Sequence, residues 1–499
     1  MSDQTWQIIS MVIYLIGMIY IGYWAYRRTV GLGDYMLGGR GLGPAVTALS
    51  AGAADMSGWL LMGLPGAIYA TGLIEAWIAV GLTVGAWLNW KFVAPRLRAY
   101  TKVASDSITI PSFLENRLRD KSRMLRIVSG VIILVFFTFY VSSGMVASGV
   151  FMKQSFGMEY HVGMLFITAV TVAYTLFGGF LAVSYTDFVQ GLMMFCALIA
   201  VPIIGLFAVG GPAEAARSIR AVNPDALSMV TGATTVGVVS SLAWGLGYFG
   251  QPHIIVRFMA IRSVEETKQG RRIGVGWMML SCLGAIATAL VGVAYFQQNP
   301  ALKISNPETV YIAMGQILFH PIIAGFMLAA VLAAIMSTVS SQLLVTSSAL
   351  VEDLYKVIGR REGSDASYVL LGRLGVLTIS LIAAALAWST TSPILKLVAF
   401  AWAGFGAAFG PTVLLALFWR KLTAKGALAG MVVGALLVWL WAARSGGIFD
   451  YYEILPGFIG NLLVAVVVSL LTHHHDEEIR VEFDETVRQV RREEAAAEG

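Results

Sequence analysis

Apolar runs close to 20 residues long recur along the whole chain, centred near residues 15, 58, 84, 138, 169, 197, 241, 285, 335, 380, 406, 434 and 463. About 20 apolar residues is the helix length that crosses a bilayer core, and within that core the backbone must satisfy its own hydrogen bonds. The expectation is an all-α membrane protein with thirteen transmembrane helices. The alternating pattern of a transmembrane β-barrel is absent. Composition agrees: 13% of the 499 residues are charged, against about 25% in soluble domains, and the mean hydropathy is +0.75. No stretch has room for a soluble catalytic or nucleotide-binding domain. The first run, MSDQTWQIISMVIYLIGMIYIGYWAYRR, lacks a basic start and a small-residue cleavage site, and so is expected to be a retained span. Cys196 and Cys282 both fall in apolar spans, where packing is expected rather than a disulfide or metal role.

A net charge of +5 says less than where the charges fall. If alternate connections are assigned to opposite sides, only six of the 34 Lys and Arg (Lys153, Arg217, Arg220, Lys303, Lys396 and Arg444) fall on one side. The positive-inside rule then places the N-terminus outside and the C-terminus in the cytoplasm of a bacterial cell membrane. The tail from 473 onwards alternates acidic and basic residues with helical spacing and is expected to form a short solvated helix. Three consecutive histidines, His473 to His475, cannot all face one ion on a helix, so a solvated boundary is expected there rather than a metal site.

Two spans look interrupted. The second, around SAGAADMSGWLLMGLPGA, carries Gly52, Gly58, Gly63, Pro65 and Gly66, and the seventh, SSLAWGLGYFGQPHIIVRF, carries Gly245, Gly247, Gly250 and Pro252. Unwound segments in membrane helices free carbonyls and amides to meet ions and polar solutes. Five spans separate the two, so they enter from opposite sides. This predicts two inverted five-helix repeats at 40–210 and 211–422, after a first helix and connection at 1–39 and before two further helices at 423–472 and a tail at 473–499. Glycine used for close helix packing accounts for GFGAAFG at 404–410, which mimics a dinucleotide fingerprint without its strand or acidic partner.

Asp55 lies inside the first interrupted stretch, where a carboxylate costs at least ~2.5 kcal/mol without a partner or a cavity. In the ninth span Ala334, Ser337 and Thr338 are spaced to share one helix face. Ser and Thr in membrane helices commonly bond their own i−4 carbonyl. Beside a broken helix, however, carbonyls and hydroxyls together make an oxygen site for a hard monovalent cation. Asp55 would supply negative charge near that cation and hold the unwound segment through its amides.

ADMSGW (54–59), GGFLAVSYTDFVQG (178–191), WGLGYFGQPHI (244–254), AAIMSTVSSQLLV (333–345), SYVLLGR and WAGFGAAFGP resemble the sodium:solute symporter family, most closely its bacterial sodium/proline branch. The likeness covers nearly the whole chain. It implies sodium ligation by backbone oxygens of Ala53, Met56 and Ala334 and by the hydroxyls of Ser337 and Thr338. It further implies sodium coupling or gating roles for Asp55, Arg40 and Asp187, and a substrate pocket at Ser57, Gly58, Trp59, Tyr140, Trp244, Tyr248 and Pro252. Asp187, Ser340 and Ser341 resemble a second sodium site found in some other branches.

The resulting expectation is sodium-coupled uptake of L-proline by alternating access. Aromatic faces would enclose the ring and its ammonium group, and freed amides would meet the carboxylate. Expected partners are proline, sodium and the bilayer, without nucleic acid; a monomer is one of the oligomeric states the sequence leaves open. The alternative is a sodium symporter for another amino acid, pantothenate, a sugar or sialic acid. A channel lacks a repeated filter motif, and an enzyme lacks paired catalytic carboxylates, metal-spaced histidines or a nucleophile motif.

Overall fold

A computed structural model describes residues 2–28, 32–359, 364–389, 392–473 and 476–496. His474 and His475 lie outside these. Among the described residues the regular structure is helical, apart from one isolated bridge between Leu42 and Ile261. Ten helices among the described residues are long and apolar enough to cross a membrane. The segments centred on 58, 169 and 241 are shorter or interrupted, for reasons visible in their residues.

α1 is Asp3–Tyr26. The second segment is α2 (Pro44–Asp55), a break at Met56 and Ser57, a wide turn at Trp59–Gly63, then α3 (Leu64–Thr71). α4 (Leu73–Val103) and α5 (Met124–Phe156) follow. The run Tyr160–Ala208 bends at Gly179, whose φ of 58° and ψ of −158° no other residue adopts readily. A Cβ there would stand 2.6 Å from the Tyr35 ring, so space as well as conformation requires glycine. We call its two halves α6 (Tyr160–Leu176) and α7 (Gly179–Ala208).

The seventh segment is α8 (Thr235–Ala243), a tight 3₁₀ stretch over Trp244–Gly250, and α9 (Pro252–Ala260), with Pro252 at its first position where the missing N–H costs nothing. Its glycines admit neighbours: a Cβ on Gly85 would lie 2.2 Å from the Gly245 carbonyl oxygen, so α4 and the 3₁₀ stretch touch backbone to backbone. Then come α10 (Glu266–Gln298), α11 (Pro321–Ser348), α12 (Asp365–Ala387), α13 (Ile394–Phe418), α14 (Ala424–Ala442), α15 (Ile454–Thr472) and the tail helix α16 (Glu477–Ala496).

The apolar stretches of α11 and α13 are 78% buried, against 33% for α1, α14 and α15, so α11 and α13 form the centre. Outward-facing side chains are apolar too: Ile16, Leu381 and Leu471 are 60%, 72% and 80% exposed, as a lipid-facing surface requires. The glycines of GFGAAFG do serve packing. Gly404 faces the Phe136 ring, Gly406 the Gly247 backbone and Gly410 the Phe458 ring.

Candidate functional site

Where α2 ends, its last carbonyls have no helical partner, because Met56 leaves helical geometry at φ −81° and ψ 76°. α11 passes that end. The Ser337 hydroxyl lies 2.7 Å from the Ala53 carbonyl oxygen and 3.1 Å from that of Ala334; the Thr338 hydroxyl lies 3.3 and 3.2 Å from the same two. Four oxygens from two helices thus converge, with exposure of 1% or less at every contributing residue. Each hydroxyl bonds its own helix and the broken one at once. Met56, the fifth expected ligand, lies in the break. Its amide caps the helix on the Gly52 carbonyl at 2.8 Å, and its own carbonyl is not among those the hydroxyls touch.

Asp55 is 1% exposed. Its Oδ2 accepts a hydrogen bond from the Tyr248 hydroxyl, while Oδ1 has no partner. The expectation that the carboxylate clasps its own unwound amides is therefore corrected: among the described residues it accepts none. The acid instead fastens the first broken segment to the second. The break is held by the Trp59 indole, whose Nε1 donates to the Asp55 carbonyl at 3.1 Å, and by the Ser57 amide on the same oxygen at 2.9 Å.

Around this junction lie the expected pocket residues. Tyr140 is buried, its hydroxyl without a hydrogen-bond partner among the described residues, and its ring meets His253 edge-on at 5.7 Å. Trp244 stacks with Tyr452 at 5.3 Å, and Tyr248 meets Trp402 edge-on at 5.2 Å. Gly58 faces Ala147 and Ile335, where a Cβ would stand 3.0 Å from the alanine methyl group. Pro252 starts α9 behind Gln251, whose amide donates to the Trp402 carbonyl at 3.0 Å.

Two partners went unread in the sequence. His253 is fully buried with both ring nitrogens unpartnered among the described residues, and Trp402 braces Trp244 and Tyr248 of the 3₁₀ stretch, donating to the Trp244 carbonyl at 2.8 Å. The signal for His253 was a polar ring inside an apolar helix start, PHIIV; Trp402 had no signal beyond its place before a glycine run.

Asp187, Ser341 and Ser50 meet about 5 Å along the helix axes from the oxygen cluster, on the Arg40 side, since Ser50 precedes Ala53 and Ser341 follows Ser337 by about one turn. Among them lies Arg257, which the charge count assigns to the basic, cytoplasmic side and which the structure instead buries completely. Arg257 Nη2 is 3.2 Å from Asp187 Oδ2 and 2.6 Å from the Ser341 hydroxyl, its Nε is 3.1 Å from Ser50, and its Nη1 bonds the His253 carbonyl. Neither Arg257 nor Asp187 is exposed. Ser340, the third expected member, bonds the Ser337 carbonyl of its own helix at 3.0 Å. An arginine alone in the apolar run IIVRFM was the available signal.

Arg40 lies apart from these residues. With φ at 54°, its guanidinium ties the start of α2 to the Met259 carbonyl (2.9 Å), the Ser107 carbonyl (2.7 Å), the Thr101 hydroxyl (3.2 Å) and Asp106 (3.0 Å). The Leu42–Ile261 bridge lies beside it. Burial lowers the Arg40 pKa from its ordinary value and Asp106 raises it. These contacts hold the start of α2 against the segments around Ser107 and Met259. At the other end of the molecule a cavity of about 680 Å³ runs from Glu308, Leu395 and Lys396 past Gly66 and Ala70 to Trp244. Burial raises the Glu308 carboxyl above its usual value, opposed by the Ile394 and Leu395 amides it accepts.

A sequence model of the sodium:solute symporter family matches residues 35–434. The high-affinity proline transporter PutP of Bacillus subtilis is 60% identical over 469 residues, covering 94% of this chain and 98% of its own. The osmoregulated proline transporter OpuE of the same organism is 54% identical, covering 93% and 94%, and the sodium/proline symporter of Staphylococcus aureus is 50% identical, covering 94% of each. Among solved structures, a substrate-bound, outward-open Na+-coupled sialic acid symporter superposes with a TM-score of 0.79 at 20% identity over 93% of this chain and 98% of that one, a likeness of fold.

Proposed function

Because this chain belongs to the sodium:solute symporter family, we propose that it is a secondary active transporter carrying L-proline into the cell together with sodium by alternating access. The observation that carries the reading is the pairing of the Ser337 and Thr338 hydroxyls with the Ala53 and Ala334 carbonyls at the break after α2. A sodium ion replaces those hydrogen bonds with coordination. Hydroxyls can turn their lone pairs inward, and oxygen is the ligand such a hard cation prefers.

Ion arrival therefore fixes the end of α2 against α11. Asp55 passes that order to Tyr248, and so to the 3₁₀ stretch that carries Trp244. Proline then meets aromatic faces and a set of buried polar atoms with free capacity: Asp55 Oδ1, the Tyr140 hydroxyl and the His253 ring. Linkage requires that proline tighten sodium by the same factor. Inward movement of positive charge draws on the membrane potential, about 2.3 kcal/mol per charge per 100 mV.

In this reading the interrupted segments count as spans, giving thirteen in two inverted repeats, with the N-terminus outside and the C-terminus in the cytoplasm of a bacterial membrane. The Arg40 seal is then the closed inner gate and the 680 Å³ cavity the outer vestibule. One sodium accompanies each proline, because Arg257 already neutralises Asp187 where a second ion would stand. Radiolabelled proline uptake into proteoliposomes tests the whole: accumulation that ignores an imposed sodium gradient overturns it. A competition panel of other amino acids, pantothenate, sugars and sialic acid against labelled proline tests the substrate.

A further inference from the structure

A second charged cavity, about 390 Å³, lies far along the chain from the transport residues, where the ends of α15 and the α13–α14 connection meet the tail helix α16. Six cationic side chains line it: Arg119, Lys121, Arg420, Lys421, Lys425 and Arg480, with Asp476 the one acidic lining residue. The arginines are already matched within the chain, Arg119 by Glu482, Arg420 by Asp484 and Arg480 by Glu477. Lys121, Lys421 and Lys425 are exposed and have no ion-pair partner among the described residues. Three exposed ammonium groups around one hollow with a single carboxylate repel one another, and a bound anion relieves that repulsion.

The surroundings favour a lipid over a soluble anion. Just beyond the cavity, Leu470 and Leu471, which precede its lining residue Thr472 at the end of α15, are 55% and 80% exposed. These apolar side chains lie one and two residues before Thr472, so a headgroup seated among the ammonium groups keeps its acyl chains against them. Basic hollows at the cytoplasmic ends of membrane helices hold anionic headgroups, with ~1 kcal/mol per Lys or Arg available near a charged surface.

We propose that this cavity is a binding site for one anionic glycerophospholipid, its phosphate held by Lys121, Lys421 and Lys425 and its acyl chains lying along Leu470 and Leu471. Ile479 and Arg480 also line the cavity, so the bound lipid fastens the start of α16 to the transporter body. The proposal is independent of which solute or ion is carried.

Delipidated full-length protein in detergent is titrated with dioleoyl phosphatidylglycerol, dioleoyl phosphatidylcholine or inorganic phosphate, with retained lipid counted by native mass spectrometry and melting temperature followed in parallel. Phosphatidylglycerol is expected to be retained at one copy and to raise the melting temperature, whereas phosphatidylcholine and phosphate are not. The triple variant Lys121→Gln, Lys421→Gln, Lys425→Gln is expected to weaken phosphatidylglycerol about tenfold or more. A variant of equal charge change away from the cavity, Arg27→Gln, Arg28→Gln, Lys102→Gln, is expected to stay within about twofold, as is a triple Lys→Arg variant of the cavity. Equal weakening by the two glutamine triples overturns the site, and stabilisation by inorganic phosphate matching that by phosphatidylglycerol overturns the lipid assignment. Proline binding by each variant reports that it is folded.

Discussion

Arg257 on α9 and Asp187 on α7 meet 3.2 Å apart in the interior, with no exposed surface on either side chain. Ser50 and Ser341 complete the cluster, so the pair joins α2, α7, α9 and α11. Removing one partner of such a pair strands the other charge and costs about 3–5 kcal/mol, whereas removing both costs less. Arg257→Gln is expected to lower the melting temperature of the purified protein well below that of Arg257→Gln combined with Asp187→Asn. Thermal unfolding of the two variants and the parent, in one detergent, checks this; a double variant less stable than Arg257→Gln alone would contradict it.

Ser337 supplies a hydroxyl to the Ala53 carbonyl and, in the proposed mechanism, to sodium. Ser337→Ala is expected to raise the sodium concentration for half-maximal uptake by about tenfold, equivalent to about 1.4 kcal/mol. Thr338→Ser, which keeps its oxygen, should change it little. Initial uptake rates across a sodium series at fixed proline measure both.

Asp55 and Tyr248 join the two broken segments through one hydrogen bond. Asp55→Ala is expected to abolish sodium-dependent uptake. Tyr248→Phe leaves the carboxylate without its donor, a loss of about 1.5–3 kcal/mol for a bond to a charged group, and should weaken proline binding by about tenfold or more. Equilibrium binding of labelled proline with and without sodium separates the two. Full sodium dependence in Asp55→Ala would remove the coupling role.

Arg40 makes four polar contacts at the end that serves as the inner gate in the proposed mechanism. Arg40→Ala is expected to open that end. In a Cys196→Ser, Cys282→Ser background, a reporter at Leu42→Cys, 2% exposed in the sealed form, should react with a membrane-impermeant thiol reagent several-fold faster from the Arg40 side. An unchanged rate would show that the seal does not depend on the guanidinium.

Some of this is legible in the sequence alone. A run of 20 apolar residues has one outcome in lipid, and a Gly- and Pro-rich interruption within it marks a break, as the segments around 56 and 244–250 bear out. Three- and four-residue spacing placed Ala334, Ser337 and Thr338 on one face, since helix geometry is local. The segment centred on 169, expected as an uninterrupted span, proved shorter, because the chain bends at Gly179 and a single glycine acts on the backbone more strongly than hydropathy registers.

The sequence by itself determined what each stretch of chain could become: apolar length dictated helices, breaks fell at glycine and proline, and a buried acid required a partner. Only the tertiary structure decided who the partners are. It gave Asp55 a tyrosine 193 residues away instead of its own amides and brought Arg257 to Asp187 across 70 residues. It also set Trp402 behind Trp244 and Tyr248. Periodicity is a property of neighbours along the chain, whereas ion pairing and aromatic contact depend on which helix faces meet, and that is fixed by packing of the whole bundle at once.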